Sequence, residues 1–198
     1  VDVGNGGSTG LITYMRTDST HVSKEAQTEA RNFVVENYGR DYVPEKPPQY
    51  TTRTKGAQEA HEAIRPTAVM LSPKAVKDNL SRDQLKLYTL IWQRFVASQM
   101  SPAVYATITV DIEAHNKPQV YHFRAAGSQL RFRGFLAVYE EARDEDEADE
   151  DESDRNLAMP SLREQQALDL QKLLPEQHFT QPPPRFTEAS LVRTLEEY

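Results

Sequence analysis

The stretch Gly10-Leu11-Ile12-Thr13-Tyr14-Met15-Arg16-Thr17-Asp18-Ser19-Thr20 follows a run of glycines and places one tyrosine in a short β-favouring segment. Its first half predicts a strand or extended segment that runs into a polar turn. Side chains alternate in an extended backbone, so Tyr14, Arg16 and Asp18 would lie on one face. A phenol is a poor nucleophile at its free pKa of about 10, and a neighbouring guanidinium stabilises charge at a phosphoryl centre. On spacing alone, however, a surface tyrosine beside an ion pair is the more ordinary interpretation.

Helical patterns dominate the chain up to about residue 100. Ser23 is an expected N-cap for a helix that runs to Tyr38 and stops at Gly39. Ser81 and Gln84 form a capping box, and the apolar residues that follow recur at helical spacing. These signals predict two well-defined helices.

Beyond Pro102 the hydrophobic period changes from helical spacing to two. Apolar and polar residues alternate over residues 104–112, and strand character continues in residues 120–125 and 130–138. Phe132 is expected to face a core. The chain is therefore predicted to be α+β, with a helix-rich part followed by a β-rich part.

The net charge of −7 is concentrated in residues 140–155, which hold eleven acidic and two basic side chains. The remaining chain is mildly basic, so the overall charge does not exclude a DNA partner. The acidic run is expected to be a solvated, mobile loop. A competing interpretation is an electrostatic mimic of DNA.

Cysteine content and hydropathy exclude cysteine-dependent sites and a membrane-spanning helix. Zero cysteines exclude disulfides, thiolate zinc sites and cysteine nucleophiles. No apolar run approaches the roughly 20 residues of a membrane-spanning helix. We therefore expect no membrane partner, and a cytoplasmic location fits.

A second polar segment, residues 58–65, carries one histidine and one arginine. If it is helical, Gln58, His61 and Arg65 share one face, where His61 could donate a proton or act as a charged clamp. Glu62 would fall on a different flank. With a single histidine this is not a zinc motif, and a solvated amphipathic helix is the bland alternative.

The last helix is expected to begin after the proline-rich residues 181–184. Thr187, Ser190 and Arg193 would lie near its first turn, where phosphates bind readily. Ordinary capping by Thr187 explains the same pattern, and both interpretations stay open.

Four segments, in order along the chain, resemble signatures of the type IA DNA topoisomerases: residues 10–20, 58–67, 87–100 and 183–192. The first resembles the active-site tyrosine motif. Met15, directly after the tyrosine, is similar to the bacterial topoisomerase I branch. Together these matches span nearly the whole chain.

The resemblance implies that Tyr14 cuts one DNA strand and holds its 5′ phosphate as a phosphotyrosine, while a second strand passes. Arg16 matches the arginine that contacts the scissile phosphate. His61 matches a DNA-binding histidine near the cleavage site, with Arg65 as a weaker neighbour. Thr13 and Asp18 match motif positions, and we expect them to orient their neighbours.

The resemblance implies that this chain forms part of a torus built from four domains. Residues 1–100 would belong to the helical tyrosine domain, and residues 101–184 to half of a β-rich gate domain that contains the acidic loop 140–155. Residues 185–198 would open a DNA-binding domain. Residues 168–173 become a strand on this comparison, against a local capping signal for a helix. Both chain ends look cut, as in a central fragment.

The implied cofactor is Mg²⁺, bound by a Toprim domain that nothing in this chain matches. The implied partners are single-stranded or negatively supercoiled DNA and the remaining domains of the same enzyme. One rival is a non-catalytic arch that binds DNA or a partner protein. A tyrosine recombinase or nicking nuclease would need arginines and histidines upstream of a late tyrosine, whereas Tyr14 comes first.

Overall fold

A computed structural model describes residues 1, 7–17, 19–50, 61–139, 162–180, 182–183 and 185–197. Its regular elements, in chain order, are α1 (Lys24–Tyr38), α2 (Pro73–Val76), α3 (Arg82–Ser98), β1 (Val104–Asn116), β2 (Gln119–Phe132) and α4 (Glu188–Glu197). Short 3-10 turns lie at Arg40–Tyr42, Lys77–Asn79 and Gly134–Ala137. The predicted order of helices followed by strands is confirmed. No described helix has the length and apolar character needed to cross a membrane.

The chain divides into two compact units. The first comprises Val1–Ala106 and Leu130–Ala142, and the second comprises Thr107–Gln129 and Arg143–Tyr198. The first unit holds α1, α2, α3 and the tyrosine segment. The second holds the outer part of the hairpin and α4.

Helix α1 begins and ends where its sequence predicts. The Ser23 Oγ accepts a hydrogen bond from the Ala26 N–H at 3.3 Å, which satisfies one free donor of the first turn. Gly39 ends the helix with a backbone φ of 103°, a conformation that residues with a Cβ rarely adopt. The buried face of the helix carries Ala26, Ala30 and Val34.

Helix α3 is the central element of the first unit. Its capping box is confirmed: Gln84 N–H donates to Ser81 Oγ at 3.3 Å, and Ser81 N–H donates to Gln84 Oε1 at 3.0 Å. Trp92 packs edge-on against Phe33 of α1, with ring centroids 5.5 Å apart. Its indole N–H donates to the carbonyl oxygen of Val69 at 2.9 Å, so the buried ring has a partner for its polar atom.

The core joins the two long helices to the tyrosine segment. It consists of the buried residues Leu11, Ala26, Ala30, Val34, Val43, Val69, Val76, Tyr88, Trp92, Phe95, Val96 and Met100. Because Leu11 belongs to this cluster, the start of the segment that carries Tyr14 is anchored on the helices.

Strands β1 and β2 form a two-stranded hairpin. The strand character predicted for residues 104–112 and 120–125 is confirmed. Phe132 is half-buried and packs against Tyr42 with ring centroids 4.7 Å apart, but it is not part of the core cluster of the described residues, so its expected core position is not reproduced. The predicted strand over residues 130–138 is wrong beyond Phe132. Gly134, at φ of 49°, turns the chain so closely against Pro102 that a Cβ there would clash with the backbone, and a 3-10 turn follows.

Residues 168–173 are not a strand, so the expectation drawn from the resemblance is wrong for the structure of this chain. No described strand pairs with them, and their backbone groups therefore lack a ladder. The side chains of Leu168, Leu170 and Leu173 are exposed. The acidic residues 140–155 lie outside the described residues.

Candidate active site

Tyr14 stands on an extended segment and is well exposed. Its side chain is 71% exposed, whereas Leu11, three residues earlier, is buried in the core. A single antiparallel bridge joins Ile12 to Pro66. The phenol is therefore presented to solvent from a backbone that is fixed just before it.

Residues 61–67 run beside the tyrosine segment and bring His61 to Tyr14. Backbone hydrogen bonds join the two segments, from Thr13 N–H to Arg65 O at 2.9 Å and from Thr67 N–H to Leu11 O at 3.0 Å. The ring centroids of Tyr14 and His61 lie 6.1 Å apart, with the planes inclined by 33°. The structure thus brings the side chains of Tyr14 and His61 together.

Thr13 bonds to this second segment through its side chain as well. Its hydroxyl donates to the carbonyl oxygen of Ala63 at 2.9 Å and accepts from the N–H of Arg65 at 3.0 Å. Both functions of the hydroxyl are therefore used between the two segments. Thr13 is the residue directly before Tyr14, so its bonds constrain the backbone position of the tyrosine.

The predicted helix over residues 58–64 is wrong where the structure describes it, from His61 onward. The N–H groups of Ala63, Arg65 and Thr67 donate to His21 O, Thr13 Oγ1 and Leu11 O, respectively. Donors that a helix would use internally are taken by other segments. His61 and Arg65 therefore do not share a helix face, and Gln58 lies outside the described residues.

Arg65 forms intramolecular contacts, although the sequence suggested a DNA contact. Its Nη2 lies 2.7 Å from Glu62 Oε2, its Nε lies 3.2 Å from the same oxygen, and its Nη1 donates to Pro66 O at 3.0 Å. The arginine side chain is only 13% exposed. These bonds hold the guanidinium against its own segment.

Glu62 is the residue of this site that the sequence interpretation missed. Its Oε1 accepts from the backbone N–H of Ser23 at 2.9 Å, at the start of α1. Burial alone would raise the pKa of the Glu62 carboxyl. The hydrogen bonds and charge of Arg65 and the N–H of Ser23 outweigh this effect and hold the pKa below its usual value. The i, i+3 spacing of Glu62 and Arg65 was the available signal, but an assumed helix placed Glu62 on another flank.

Acid should therefore weaken the folded state partly through Glu62. A carboxyl with a lowered folded pKa stabilises the protein above its unfolded pKa of about 4.5, and this contribution disappears as the pH falls through the folded pKa. We expect wild type to exceed Glu62→Gln in unfolding free energy above about pH 5, with the difference shrinking below that. Urea unfolding at a series of pH values measures this. Glu164→Gln, on an exposed turn, controls for loss of a carboxylate, and a pH-independent difference would contradict the assignment.

Arg16 follows Tyr14 through a tight turn. The Arg16 N–H donates to the carbonyl oxygen of Tyr14 at 2.9 Å, a bond between residues i and i+2 that an extended strand does not make. The expected alternation that placed Tyr14, Arg16 and Asp18 on one face is therefore wrong beyond the tyrosine. Asp18 lies outside the described residues.

In the second unit, Thr187 and Ser190 cap α4. The Ser190 N–H donates to Thr187 Oγ1 at 3.1 Å, and the Thr187 N–H donates to Ser190 Oγ at 2.8 Å. This reciprocal pair is the capping arrangement expected at a helix start. Arg193 lies one turn further along the same helix.

The described residues do not fit a Mg²⁺ ion. They contain no group of three or more His, Cys, Asp or Glu side chains that could bind a metal. The carboxylate of Glu62, on the segment that pairs with the tyrosine segment, is already bonded to Arg65 and Ser23.

Comparison with known proteins identifies the family. The profile of a protein family described as "DNA topoisomerase" matches residues 8–198. DNA topoisomerase 1 of Xylella fastidiosa strains Temecula1 and 9a5c is 48% identical over all 198 residues, and the chain spans 24% of the length of those relatives. The full-length topoisomerase I of Thermotoga maritima is similar in structure, with a TM-score of 0.55 and 40% identity. That match covers 70% of this chain and 21% of the Thermotoga chain. The chain therefore belongs to the type IA DNA topoisomerase family and is similar to bacterial DNA topoisomerase I.

Proposed function

We propose that this chain is the tyrosine-bearing part of a type IA DNA topoisomerase that relaxes negatively supercoiled DNA. The observation that carries the proposal is the presentation of Tyr14. Its phenol is exposed to solvent, its backbone is fixed by the bonds of Thr13, and His61 lies beside it. An accessible nucleophile on a rigid support is what attack on a large substrate requires.

In the proposed reaction, the Tyr14 Oη attacks the phosphorus of one DNA strand, and the bond from phosphorus to the 3′ oxygen breaks. The Tyr14 phenol loses its proton and the leaving 3′ oxygen gains one, so protons balance, and the phosphate remains joined to Tyr14 and to the 5′ end of the cleaved strand. After a second strand has passed, the 3′ hydroxyl attacks the same phosphorus and Tyr14 regains its proton. Each step forms one phosphoester bond and breaks another, so the reaction needs no external energy source.

We assign the neighbouring side chains as follows. Arg16 stabilises negative charge on the phosphate during both cleavage and religation. His61 contacts the DNA beside the scissile bond, as a proton donor or a charged clamp. Thr13 and Asp18 orient the tyrosine segment.

Other groups are proposed to act at a distance from this centre. Thr187, Ser190 and Arg193 would meet DNA phosphates at the start of α4. Mg²⁺ would be bound by a Toprim domain in another part of a longer protein, and single-stranded or negatively supercoiled DNA would be the substrate. The tyrosine domain would comprise residues 1–100, the gate domain would include residues 101–184, and the DNA-binding domain would begin with residues 185–198. A cytoplasmic location is part of the same proposal.

The polarity of the covalent bond tests the proposal in the complete enzyme. A single-stranded oligonucleotide labelled at either end is incubated with enzyme and Mg²⁺, and the reaction is stopped with denaturant. A 5′ phosphotyrosine predicts that the 3′ label stays on the protein, while the 5′ label appears on a shortened free strand. Mass spectrometry of the adduct should locate the nucleotide on the peptide with Tyr14. DNA binding without any adduct would instead support the non-catalytic arch.

Arg16→Ala should slow both directions of the reaction. Loss of one group that stabilises a developing charge costs on the order of 100-fold in rate, and cleavage and religation share the same charged centre. Single-turnover cleavage and salt-induced religation of trapped adduct measure the two rates separately. Arg82→Ala, an exposed arginine at the start of α3, is the matched control. Religation at the wild-type rate in Arg16→Ala would contradict the role.

A further inference from the structure

Glu62 joins its own segment, residues 61–67, to the start of α1 through one carboxylate. Its Oε1 accepts from the Ser23 N–H at 2.9 Å, and its Oε2 accepts from the guanidinium of Arg65 at 2.7 Å and 3.2 Å. The side chains of Glu62 and Arg65 are 29% and 13% exposed. We refer to Glu62, Arg65 and the Ser23 N–H as the carboxylate clamp.

The clamp is anchored on the helical core. Ser23 caps α1 through its side chain, and α1 buries its inner face in the core of the unit. A second bond, from Ala63 N–H to His21 O at 2.7 Å, joins the same two regions. The segment that carries His61 is thereby tied to the start of a helix whose position is fixed.

The other side of this segment faces the tyrosine. Thr13 bonds to both Ala63 and Arg65, and Tyr14 is the next residue. A shift of residues 61–65 would therefore be passed to the backbone of the nucleophile and to the 6.1 Å separation of the Tyr14 and His61 rings.

We propose that Glu62 and Arg65 are positioning residues, which hold His61 and Tyr14 in the arrangement needed for DNA cleavage, and that Arg65 does not contact DNA. The inference rests on the proposed function. A displacement of about 1 Å of reacting groups costs on the order of 100-fold in rate. A partly relaxed clamp should therefore slow cleavage about tenfold without weakening DNA binding.

The test uses Glu62→Gln, Arg65→Met and the double variant in the complete enzyme. DNA affinity is measured at several salt concentrations, and single-turnover cleavage is measured at saturating DNA. We expect each single variant to cleave about tenfold more slowly, and the double variant to be no slower than either one, because both break the same interaction. The dissociation constant and its salt dependence should stay at wild-type values. Glu62→Asp, which keeps the charge, should be intermediate and serves if the other variants fold poorly.

Asp111 and Arg124 provide the matched control. They form a charged pair of the same 2.7 Å length on the hairpin, with side chains 69% and 72% exposed. Asp111→Asn and Arg124→Met should leave cleavage unchanged, since exposed pairs contribute little. As a stability control, Tyr88→Phe removes the hydrogen bond to Leu71 O and should lower the melting temperature without selectively slowing cleavage.

Three results would overturn the inference. Wild-type cleavage by Glu62→Gln would show that the clamp is not needed. Arg65 would contact a DNA phosphate if Arg65→Met alone weakened DNA binding and lowered by about one the slope of log binding constant against log salt concentration. If Tyr88→Phe slowed cleavage as much as the clamp variants at the same loss of stability, the slowing would be explained by general destabilisation. Failure of wild type to form an adduct at Tyr14 would refute the proposed function itself, and the inference with it.

Discussion

Replacing Tyr14 with Phe in the complete enzyme should abolish covalent capture of DNA while DNA affinity stays within about twofold of wild type. Only the phenolic oxygen is removed, and no other atom of the residue can attack phosphorus. Loss of an attacking group costs on the order of 10⁴-fold in rate or more. The side chain is 71% exposed, so the substitution should change the unfolding free energy by no more than about 0.5 kcal/mol.

Denaturing gels with end-labelled oligonucleotide measure capture, and fluorescence anisotropy measures affinity. Tyr105→Phe removes a phenolic oxygen from another exposed tyrosine, on β1, and should retain full capture. A Tyr14→Phe enzyme that still traps labelled DNA would place the nucleophile elsewhere. Parallel loss of capture and affinity would instead point to a binding role for the phenol.

Helices α1 and α3 and the strand character of β1 were predictable because their signals are local. Ser23 with Gly39 bounds α1, and Ser81 with Gln84 caps α3, through hydrogen bonds between residues close in sequence. The alternation that predicts β1 is equally local. For the two helix caps, the same short stretch of sequence contains both the donor and the acceptor.

The tyrosine site was only partly predictable because its bonds are long-range. The N–H groups of Ala63 and Arg65 are bonded to residues about 40 and 50 positions away. No helical period could reveal that these donors are used in this way, so residues 61–64 looked like a helix. The assumed helix therefore placed Glu62 on a different flank from His61, and Arg65 was interpreted as a DNA contact.

The turn at Arg16 and residues 168–173 show two further reasons for failure. A single bond from Arg16 N–H to Tyr14 O is enough to break the expected alternation. For residues 168–173, a strand needs a neighbour to satisfy its backbone, and no described strand provides one.

The 198-residue chain alone should neither relax supercoiled DNA nor accumulate a covalent adduct. It contains the proposed nucleophile, Arg16 and His61, but its described residues offer no cluster for a metal ion. The chain corresponds to 24% of the length of its Xylella relatives. Catalytic groups that act as a unit lose most of their rate when one part is missing. With water on most of its surface, the Tyr14 phenol also lacks the enclosed surroundings in which fixed charges act strongly.

Purified chain is therefore incubated with labelled single-stranded oligonucleotide and Mg²⁺ and examined on a denaturing gel, beside the complete enzyme as positive control. We expect weak DNA binding that disappears as salt is raised, because it would depend on a few basic side chains, and no label on the protein. A shifted band that persists in Tyr14→Phe would be a contaminant or another nucleophile. A shifted band that disappears in Tyr14→Phe would show that the chain's own residues are sufficient for cleavage. The leaving 3′ oxygen would then receive its proton from solvent or from a side chain of this chain, and His61, whose ring lies 6.1 Å from the tyrosine ring, would be the first side chain to test.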